Sequence, residues 1–443
     1  MRPRTAAALT LALAALAACA SCTSIFGIDR DYRAMDADAG SGVDATPAES
    51  GTDGPPSGDA REGAPPIDAG DSGIVYPADA GSVTKVTAGK FHTCAFFGDT
   101  GYAKCWGRND DFGELGTGTG ASSATPVYAM SPGLADLFAG AHDTCATLAR
   151  DGGGGECAGK GGLGELGDGI VDADSPAPVP TSVFPSAPIA IASGEAFTCA
   201  VVSGGDVWCV GDGLLGELGN GASMMSLTAV KAQLGGAAKA VAAFYQHACA
   251  LMVDGTVACW GDDSSGQIGN GNVTPDAGVL VPTAVAGVAG ATAIGVGTAF
   301  SCALVGDDAG GDVLCWGSGA SGQLGNGSTS SSPTPVQVQG ATGATLLAVG
   351  GEHACASDVT TGGILCWGQG GSGQLGNSDT SNHSTPVNVS NVGGYPESLT
   401  AGGFHTCALF ATPNVQCWGS DDFGQLGDGK TNMDETAPVS VQW

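Results

Sequence analysis

Histidine, cysteine, tryptophan and paired acidic residues recur along this chain, and each of these types could carry chemistry. Histidines could ligate a metal, cysteines could pair with each other, and a row of tryptophans could stack on sugars. Their spacing is regular, because the first cysteines of successive segments lie 50 to 54 residues apart, at Cys94, Cys145, Cys199, Cys249, Cys302, Cys355 and Cys407. Such a period is typical of a repeat architecture, in which equivalent residues usually do the same structural job.

A second cysteine follows the first after 10 to 13 residues in every repeat, at Cys105, Cys157, Cys209, Cys259, Cys315, Cys366 and Cys417. Residues at this separation can lie opposite each other in a β-hairpin, close enough for a disulfide. We therefore predict seven local disulfides, formed in an oxidising compartment. The alternative is seven pairs of buried thiols that pack as small apolar side chains.

Five histidines are predicted to share one position of the repeat, and Phe197 and Phe300 take that position in the other two repeats; the histidines are His92, His142, His247, His353 and His405. A metal site needs three or four convergent ligands, and phenylalanine cannot ligate. We expect structural histidines, no metal and no cofactor.

Five tryptophans each follow the second cysteine of a repeat, at Trp106, Trp260, Trp316, Trp367 and Trp418. We expect them to pack between neighbouring repeats rather than to bind sugars. Ala158 and Val210 replace tryptophan in the second and third repeats, which are expected to pack less well there.

Acidic pairs precede the Gly-Glu/Gln-Leu-Gly turn of several repeats, at Asp110 and Asp111, Asp262 and Asp263, and Asp421 and Asp422. If these loops gather on one face, they form a negative rim that could attract a cation or a basic partner. We therefore predict that these six residues lie in binding loops. None of the loops matches the EF-hand pattern, and calcium binding is left open.

Each repeat of about 50 residues reads as four short strands joined by glycine-rich turns, in a chain with 77 glycines and only 14 Lys and Arg residues. This arrangement favours an all-β propeller over a solenoid. The His-Thr-Cys or His-Ala-Cys step, the Cys-Trp-Gly step and the Gly-Gln-Leu-Gly turn resemble those of the RCC1-repeat family, which is sometimes grouped with BLIP-II. The resemblance implies a seven-bladed β-propeller over residues 82–443. The chain departs from the pattern at Glu114, Glu165 and Glu217, which replace glutamine, and at Ile268, which replaces leucine.

The first 81 residues read as export and anchoring segments. Residues 1–18 have a basic start and a short apolar run, as in a secretory signal peptide. Cys19 follows Leu-Ala-Ala as in a bacterial lipobox, so we predict a lipidated Cys19 and an outer-membrane or surface location; ordinary cleavage or an uncleaved anchor are the alternatives. Residues 19–81 are acidic and poor in aromatic residues, which predicts a disordered tether. No role is assigned to Cys22.

Residues 82–443 carry 32 acidic and 9 basic side chains, a net charge of −23, which argues against nucleic-acid binding. No catalytic motif occurs in its required context. We predict a monomeric, non-enzymatic, envelope-anchored protein that binds an unidentified protein through its loops. A carbohydrate or cell-wall binder and an inhibitor of a secreted enzyme are the alternatives. The guanine-nucleotide exchange that the resemblance implies is disfavoured, because its partner would be cytosolic.

Overall fold

The computed structural model describes residues 81–149, 153–171, 174–307, 309–411 and 414–443. The predicted signal peptide, the lipid site at Cys19 and the tether up to residue 80 lie outside these residues. No helix in the described ranges is long and apolar enough to cross a membrane.

The described residues form 28 β-strands, with these bounds in chain order: β1 Lys85–Ala88, β2 His92–Phe97, β3 Tyr102–Gly107, β4 Ser123–Ala129, β5 Leu134–Ala139, β6 Asp143–Leu148, β7 Gly155–Gly159, β8 Ser175–Pro180, β9 Pro188–Ser193, β10 Phe197–Val202, β11 Val207–Gly211, β12 Ser226–Lys231, β13 Ala238–Phe244, β14 His247–Met252, β15 Val257–Asp263, β16 Thr274–Ala284, β17 Ala291–Val296, β18 Phe300–Asp307, β19 Gly310–Gly317, β20 Ser332–Ala344, β21 Leu347–Val349, β22 His353–Asp358, β23 Gly363–Gly368, β24 His383–Asn388, β25 Ser398–Ala401, β26 His405–Leu409, β27 Val415–Gly419 and β28 Glu435–Ser440.

Every four consecutive strands form one antiparallel sheet, so β1–β4 make blade 1 and β25–β28 make blade 7. The first strands of neighbouring blades contact each other around a centre, and β25 of blade 7 contacts β1 of blade 1. The fold is a seven-bladed β-propeller, as predicted. No described strand is exchanged between the first and last blades, so the ring closes by contact between whole sheets.

The second and third strands of each blade pair in a register that sets the two cysteines opposite each other, as Cys94 opposite Cys105 in blade 1. Each pair forms a disulfide, with Cα atoms 4.0 to 4.1 Å apart: Cys94–Cys105, Cys145–Cys157, Cys199–Cys209, Cys249–Cys259, Cys302–Cys315, Cys355–Cys366 and Cys407–Cys417. The short separation is typical of a non-hydrogen-bonded antiparallel pair. Bridges therefore form, rather than the alternative of free thiols.

The tryptophans are fully buried wedges between blades. Trp316 of blade 5, for example, packs in one cluster with Ile268 and Val285 of blade 4. Its indole N–H donates to the carbonyl oxygen of Gln267 in blade 4 at 2.8 Å, and the other four tryptophans make the same bond at 2.7 to 3.0 Å. A buried indole N–H needs such a partner, which fixes how neighbouring blades dock. The five tryptophans therefore pack between blades, as predicted, and do not form an exposed platform for sugars.

The two blades without this tryptophan are not loosely packed, contrary to the expectation. Ala158 and Val210 are fully buried. Met130 reaches the space beside Gly116 that a tryptophan fills at other interfaces, and Phe184 does so beside Gly167. A larger side chain from the preceding blade therefore replaces the volume of the missing indole.

Candidate binding face

One end of the propeller carries two loops from every blade, and we call it the loop face. Because the strands are antiparallel, the turn between the first and second strands lies at the same end as the loop between the third and fourth strands. Backbone hydrogen bonds join the two loops, as from the Arg108 N–H to the Phe91 carbonyl at 2.9 Å and from the Asp212 N–H to the Ala196 carbonyl at 2.8 Å. Side chains that differ between repeats and are not required by the fold are expected on such loops, where they can bind a partner.

Four of the five predicted histidines are structural. Their Nε2 atoms pair with a hydroxyl of the next blade, in His92–Thr144 (3.0 Å), His247–Ser301 (2.9 Å), His353–Thr406 (2.8 Å) and His405–Thr93 (2.7 Å). Burial lowers the pKa of His92 to about 4 and that of the other three to about 3, so all four are neutral at physiological pH. Each of the four histidines links two neighbouring blades at its own interface, so their side chains do not come together as a set of metal ligands.

The assignment of His142 to this position was wrong. Asp143 begins β6 and pairs with Gly159, as His92 pairs with Gly107, whereas His142 lies one residue earlier in the turn. Asp143 bonds to the Ser193 hydroxyl, which in turn lies 2.9 Å from the hydroxyl of Thr198 in blade 3. Asp143 and Ser193 together thus make the link to the next blade that a single histidine makes in four of the other blades.

The predicted acidic rim is only partly exposed. Asp263 and Asp421 are buried, and each accepts the backbone N–H of the third residue of its turn, Ile268 or Leu426. Asn109 does the same for Leu115 in blade 1. These are turn-forming residues and do not belong to a rim.

The other four predicted loop residues are at least partly exposed: Asp110, Asp111, Asp262 and Asp422. Asp110 and Asp111 pair with Arg108, and Asp262 accepts a hydrogen bond from Gln267. Within the described ranges, no group of three or more His, Cys, Asp or Glu side chains is arranged to hold a metal ion.

Blades 7 and 1 carry a cluster of aromatic residues around one arginine, which we call the aromatic sector. The guanidinium carbon of Arg108 lies 5.3 Å from the ring centroid of Phe91 and 4.9 Å from that of Phe423. Phe91 also lies 5.9 Å from Phe404, ring to ring. The three rings are half-buried, so they leave apolar surface on the loop face.

A small pocket of about 120 Å³ opens on the loop face where blades 2, 3 and 4 meet. Its charged lining consists of Lys160, Glu195, Asp212 and Glu217, beside Phe197 and Gln246. Glu217 is only 2% exposed, and burial followed by the charge of Asp212 raises its pKa to about 7. The sequence analysis missed this site. It could have been found by comparing, in each repeat, the residue after the Cys-x-Gly step with the glutamate or glutamine of the Gly-Glu/Gln-Leu-Gly turn, because only the third repeat has an acid at both positions.

The centre of the ring holds a cavity of about 250 Å³ lined by the first strands of the blades. Its lining is mostly aliphatic, with Ile191, Ile294, Val349 and Leu399 among the residues. The polar side chains in this lining are the hydroxyls of Thr87, Ser193 and Thr400, and none of the lining residues is an acid, a histidine or a cysteine.

Two models of the regulator of chromosome condensation (RCC1) repeat match the chain, one at residues 310–357 and 361–409, and the other at residues 83–113, 238–267 and 397–425. The matched segments are RCC1 repeats. This RCC1-type chain is 33% identical over 153 residues to the ultraviolet-B receptor UVR8 of Arabidopsis thaliana, which covers 34% of each chain. It is 30% identical over 142 residues to the E3 ubiquitin-protein ligase HERC2 of Homo sapiens, which covers 32% of this chain and 3% of that one. The matches thus span about a third or less of these relatives.

Solved RCC1-type propellers have the same architecture. Human WBSCR16 superposes with a TM-score of 0.65 at 20% identity, covering 74% of this chain and 86% of that one. Prp20p from Saccharomyces cerevisiae gives a TM-score of 0.65 at 19% identity, covering 82% of this chain and 88% of that one. At these identities the likeness supports the fold.

Proposed function

We propose that this RCC1-type propeller is an exported, non-enzymatic protein that binds a protein partner through the aromatic sector of its loop face. RCC1-type propellers generally act as protein-interaction scaffolds. Prp20p has been described with its binding to Gsp1p and histones, and yeast RCC1 has been solved bound to Kap60. The proposal carries over only the mode of action, a rigid ring that presents loops to another protein.

The observation that carries the proposal is the break in repeat symmetry at the aromatic sector. The residue just before the second strand is phenylalanine only at Phe91 and Phe404, and elsewhere it is His142, Ala196, Gln246, Ala299 or Glu352. The fold therefore does not require an aromatic ring at this position. Phenylalanine and arginine are among the residue types enriched in protein interfaces, so this cluster suits a protein partner.

Export is proposed from the seven disulfides and from the leader pattern. Such bridges persist in oxidising compartments and are rare in the cytosol. The lipid anchor at Cys19 is part of the same proposal and needs its own test. Cys19→Ser should abolish labelling by a palmitate analogue in the native host, whereas Cys22→Ser should leave it intact. Equal labelling of both variants would reject the anchor.

The binding proposal is tested by capture from an envelope extract with the full chain, its disulfides oxidised. We expect the wild type to retain one discrete protein, and Phe404→Ser with Phe423→Ser to reduce its recovery about tenfold or more. Val253→Ser is the matched control, because Val253 is an exposed apolar residue in a turn at the opposite end of blade 4. Equal loss in the control, or retention of polysaccharide alone, would contradict the proposal.

A further inference from the structure

The glutamate or glutamine of the Gly-Glu/Gln-Leu-Gly turn has a defined partner in each blade. Its own oxygen accepts a backbone N–H two residues earlier, as from Leu163 to Glu165 at 2.7 Å and from Ser265 to Gln267 at 2.8 Å. In blades 4 to 7 the other end of its side chain is hydrogen-bonded to the residue that follows the Cys-x-Gly step. That second residue differs from blade to blade, and in every blade except blade 3 its charge or hydrogen-bonding type complements that of the first.

In blades 4 to 7 the turn residue is glutamine and its partner is a hydrogen-bond acceptor. Gln Nε2 donates in all four: Gln267 to Asp262 (2.7 Å), Gln323 to Ser318 (3.4 Å), Gln374 to Gln369 (3.0 Å) and Gln425 to Ser420 (3.2 Å). In blades 1 and 2 the turn residue is glutamate, and the residue after the Cys-x-Gly step is a cation. Burial raises the pKa of Glu114 and of Glu165, and the positive charge of Arg108 or Lys160 nearby opposes this rise. Neither cation is bonded to its glutamate within the described ranges, and instead Arg108 pairs with Asp110 and Asp111 and Lys160 donates to the Glu195 carbonyl.

Blade 3 breaks this rule, because Glu217 is placed with Asp212. Both carboxyl groups line the same pocket, and burial followed by the negative charges of Asp212 and Asp262 raises the pKa of Glu217. Oε2 of Glu217 accepts the Leu215 N–H at 2.8 Å, and no side chain in the described ranges donates a hydrogen bond to this carboxylate. The ammonium of Lys160, on the same pocket wall, is bonded to the Glu195 carbonyl at 3.1 Å.

The unmatched pair does not lie in a closed core but lines the pocket of about 120 Å³. This volume is about four times the space of one water molecule in the liquid, so it exceeds what a bare ion needs. Two carboxylates are also too few for a calcium cage. The remaining lining includes Ala196 and Phe197, which offer carbon to an alkyl chain.

We propose that this pocket binds a primary ammonium group on an alkyl chain, held between Glu217 and Asp212, and that a lysine side chain of the protein partner supplies it. The ligand then supplies in blade 3 the positive charge that Arg108 and Lys160 supply near the glutamates of blades 1 and 2. The inference rests on the proposed protein-binding function only for the source of the ammonium. A free diamine has the same chemistry and is distinguished by the test.

The test is calorimetric titration of the full oxidised chain at pH 8 and low salt with Nα-acetyl-lysine N-methylamide. The norleucine analogue has the same alkyl chain without the ammonium and should not bind. Glu217→Gln recreates the Gln267–Asp262 arrangement, and Asp212→Lys recreates the Glu165–Lys160 arrangement, so both changes have a folded precedent in the chain. Each should weaken binding at least about tenfold without lowering the melting temperature. Binding should also fall about tenfold from pH 8 to pH 6, as Glu217 takes up a proton.

No binding of the amine, equal binding in both variants, or binding of norleucine would overturn the pocket assignment. Cadaverine binding at least about tenfold tighter than acetyl-lysine would overturn the partner lysine as the source in favour of a free diamine. If a captured protein is retained equally by Glu217→Gln, the inference fails and the proposed function stands. If acetyl-lysine binds through Glu217 but no protein is captured, the proposed function fails and the pocket stands.

Discussion

Trp106 donates its indole N–H to the carbonyl oxygen of Gln425 at 2.9 Å, across 319 positions of the chain. The same bond joins Trp316 to Gln267 within one continuous stretch of blades. The interface between blades 7 and 1 thus uses the same contact as the covalently linked interfaces. Since no described strand crosses it, the ring stays closed through such contacts alone.

We expect Trp106→Phe to destabilise the protein more than Trp316→Phe does. Both changes remove one buried hydrogen bond, which costs about 1 to 3 kcal/mol because a buried carbonyl loses its donor. Trp106 lies at the interface between blades 7 and 1, which no chain segment connects directly, whereas the blades on either side of Trp316 are consecutive in the chain. The loss at Trp106 should therefore allow the ring to open. Urea unfolding and limited proteolysis near the chain ends measure the two effects. Equal stability and equal proteolysis of the two variants would contradict this role of Trp106.

The repeat period allowed the blades, the disulfides and the wedge tryptophans to be predicted from sequence, because each occurs in nearly every repeat and reports on its own structural role. Asp143 and the Glu217–Asp212 pair were missed for the opposite reason. Each of these features occurs in one blade only. Its role depends on which residue of a neighbouring loop or strand it contacts, and the repeat pattern does not give that contact. His142 was misplaced because residue type was matched instead of strand register.

We expect Asp143 to make stability depend on pH. Burial raises its pKa to about 8, well above the usual value of 3.8, so the folded protein keeps a proton that the unfolded chain releases. The stabilisation is complete below about pH 4 and is lost as the pH rises through 8. The side chain that Asp143→Asn introduces is neutral at every pH. As the pH rises from about 4 to about 8, the free energy of unfolding of this variant should therefore increase relative to that of the wild type by up to about 1.4 kcal/mol per pH unit. Chemical denaturation at pH 5, 7 and 9 measures the difference.

A matched variant checks that the effect belongs to this position. Asp143→His with Ser193→Ala rebuilds the pairing of His92 with Thr144, now directed at Thr198. We expect this double variant to fold and its free energy of unfolding to differ from that of the asparagine variant by a constant amount above about pH 7, where the imidazole is neutral in both the folded and the unfolded chain. Parallel pH profiles for the wild type, the asparagine variant and the double variant would reject a raised pKa at Asp143.

We expect Ala158→Trp to destabilise the interface between blades 1 and 2 unless Met130 is shortened. Met130 occupies the space that the new indole would need beside Gly116, and overpacking a filled core costs about 1 to 3 kcal/mol. Met130→Ala clears this space and should recover most of the loss. A double-mutant cycle on thermal or urea unfolding should give a favourable coupling of at least about 1 kcal/mol. Additive effects would show that Met130 does not replace the missing tryptophan.

The last prediction concerns the bridge between Cys302 and Cys315, which spans 13 positions of blade 5. Replacing both cysteines with alanine should lower the free energy of unfolding by about 3 kcal/mol, because the unfolded chain regains the entropy of an open loop. The control is the same comparison under full reduction, where the wild type has lost its bridge as well and the difference should shrink to the packing cost of two sulfur atoms. A difference that stays unchanged in reductant would assign the stabilisation to packing. Because each blade carries an equivalent pair, the matching double variant of Cys355 and Cys366 should give a similar loss, as expected if each bridge stabilises its own hairpin.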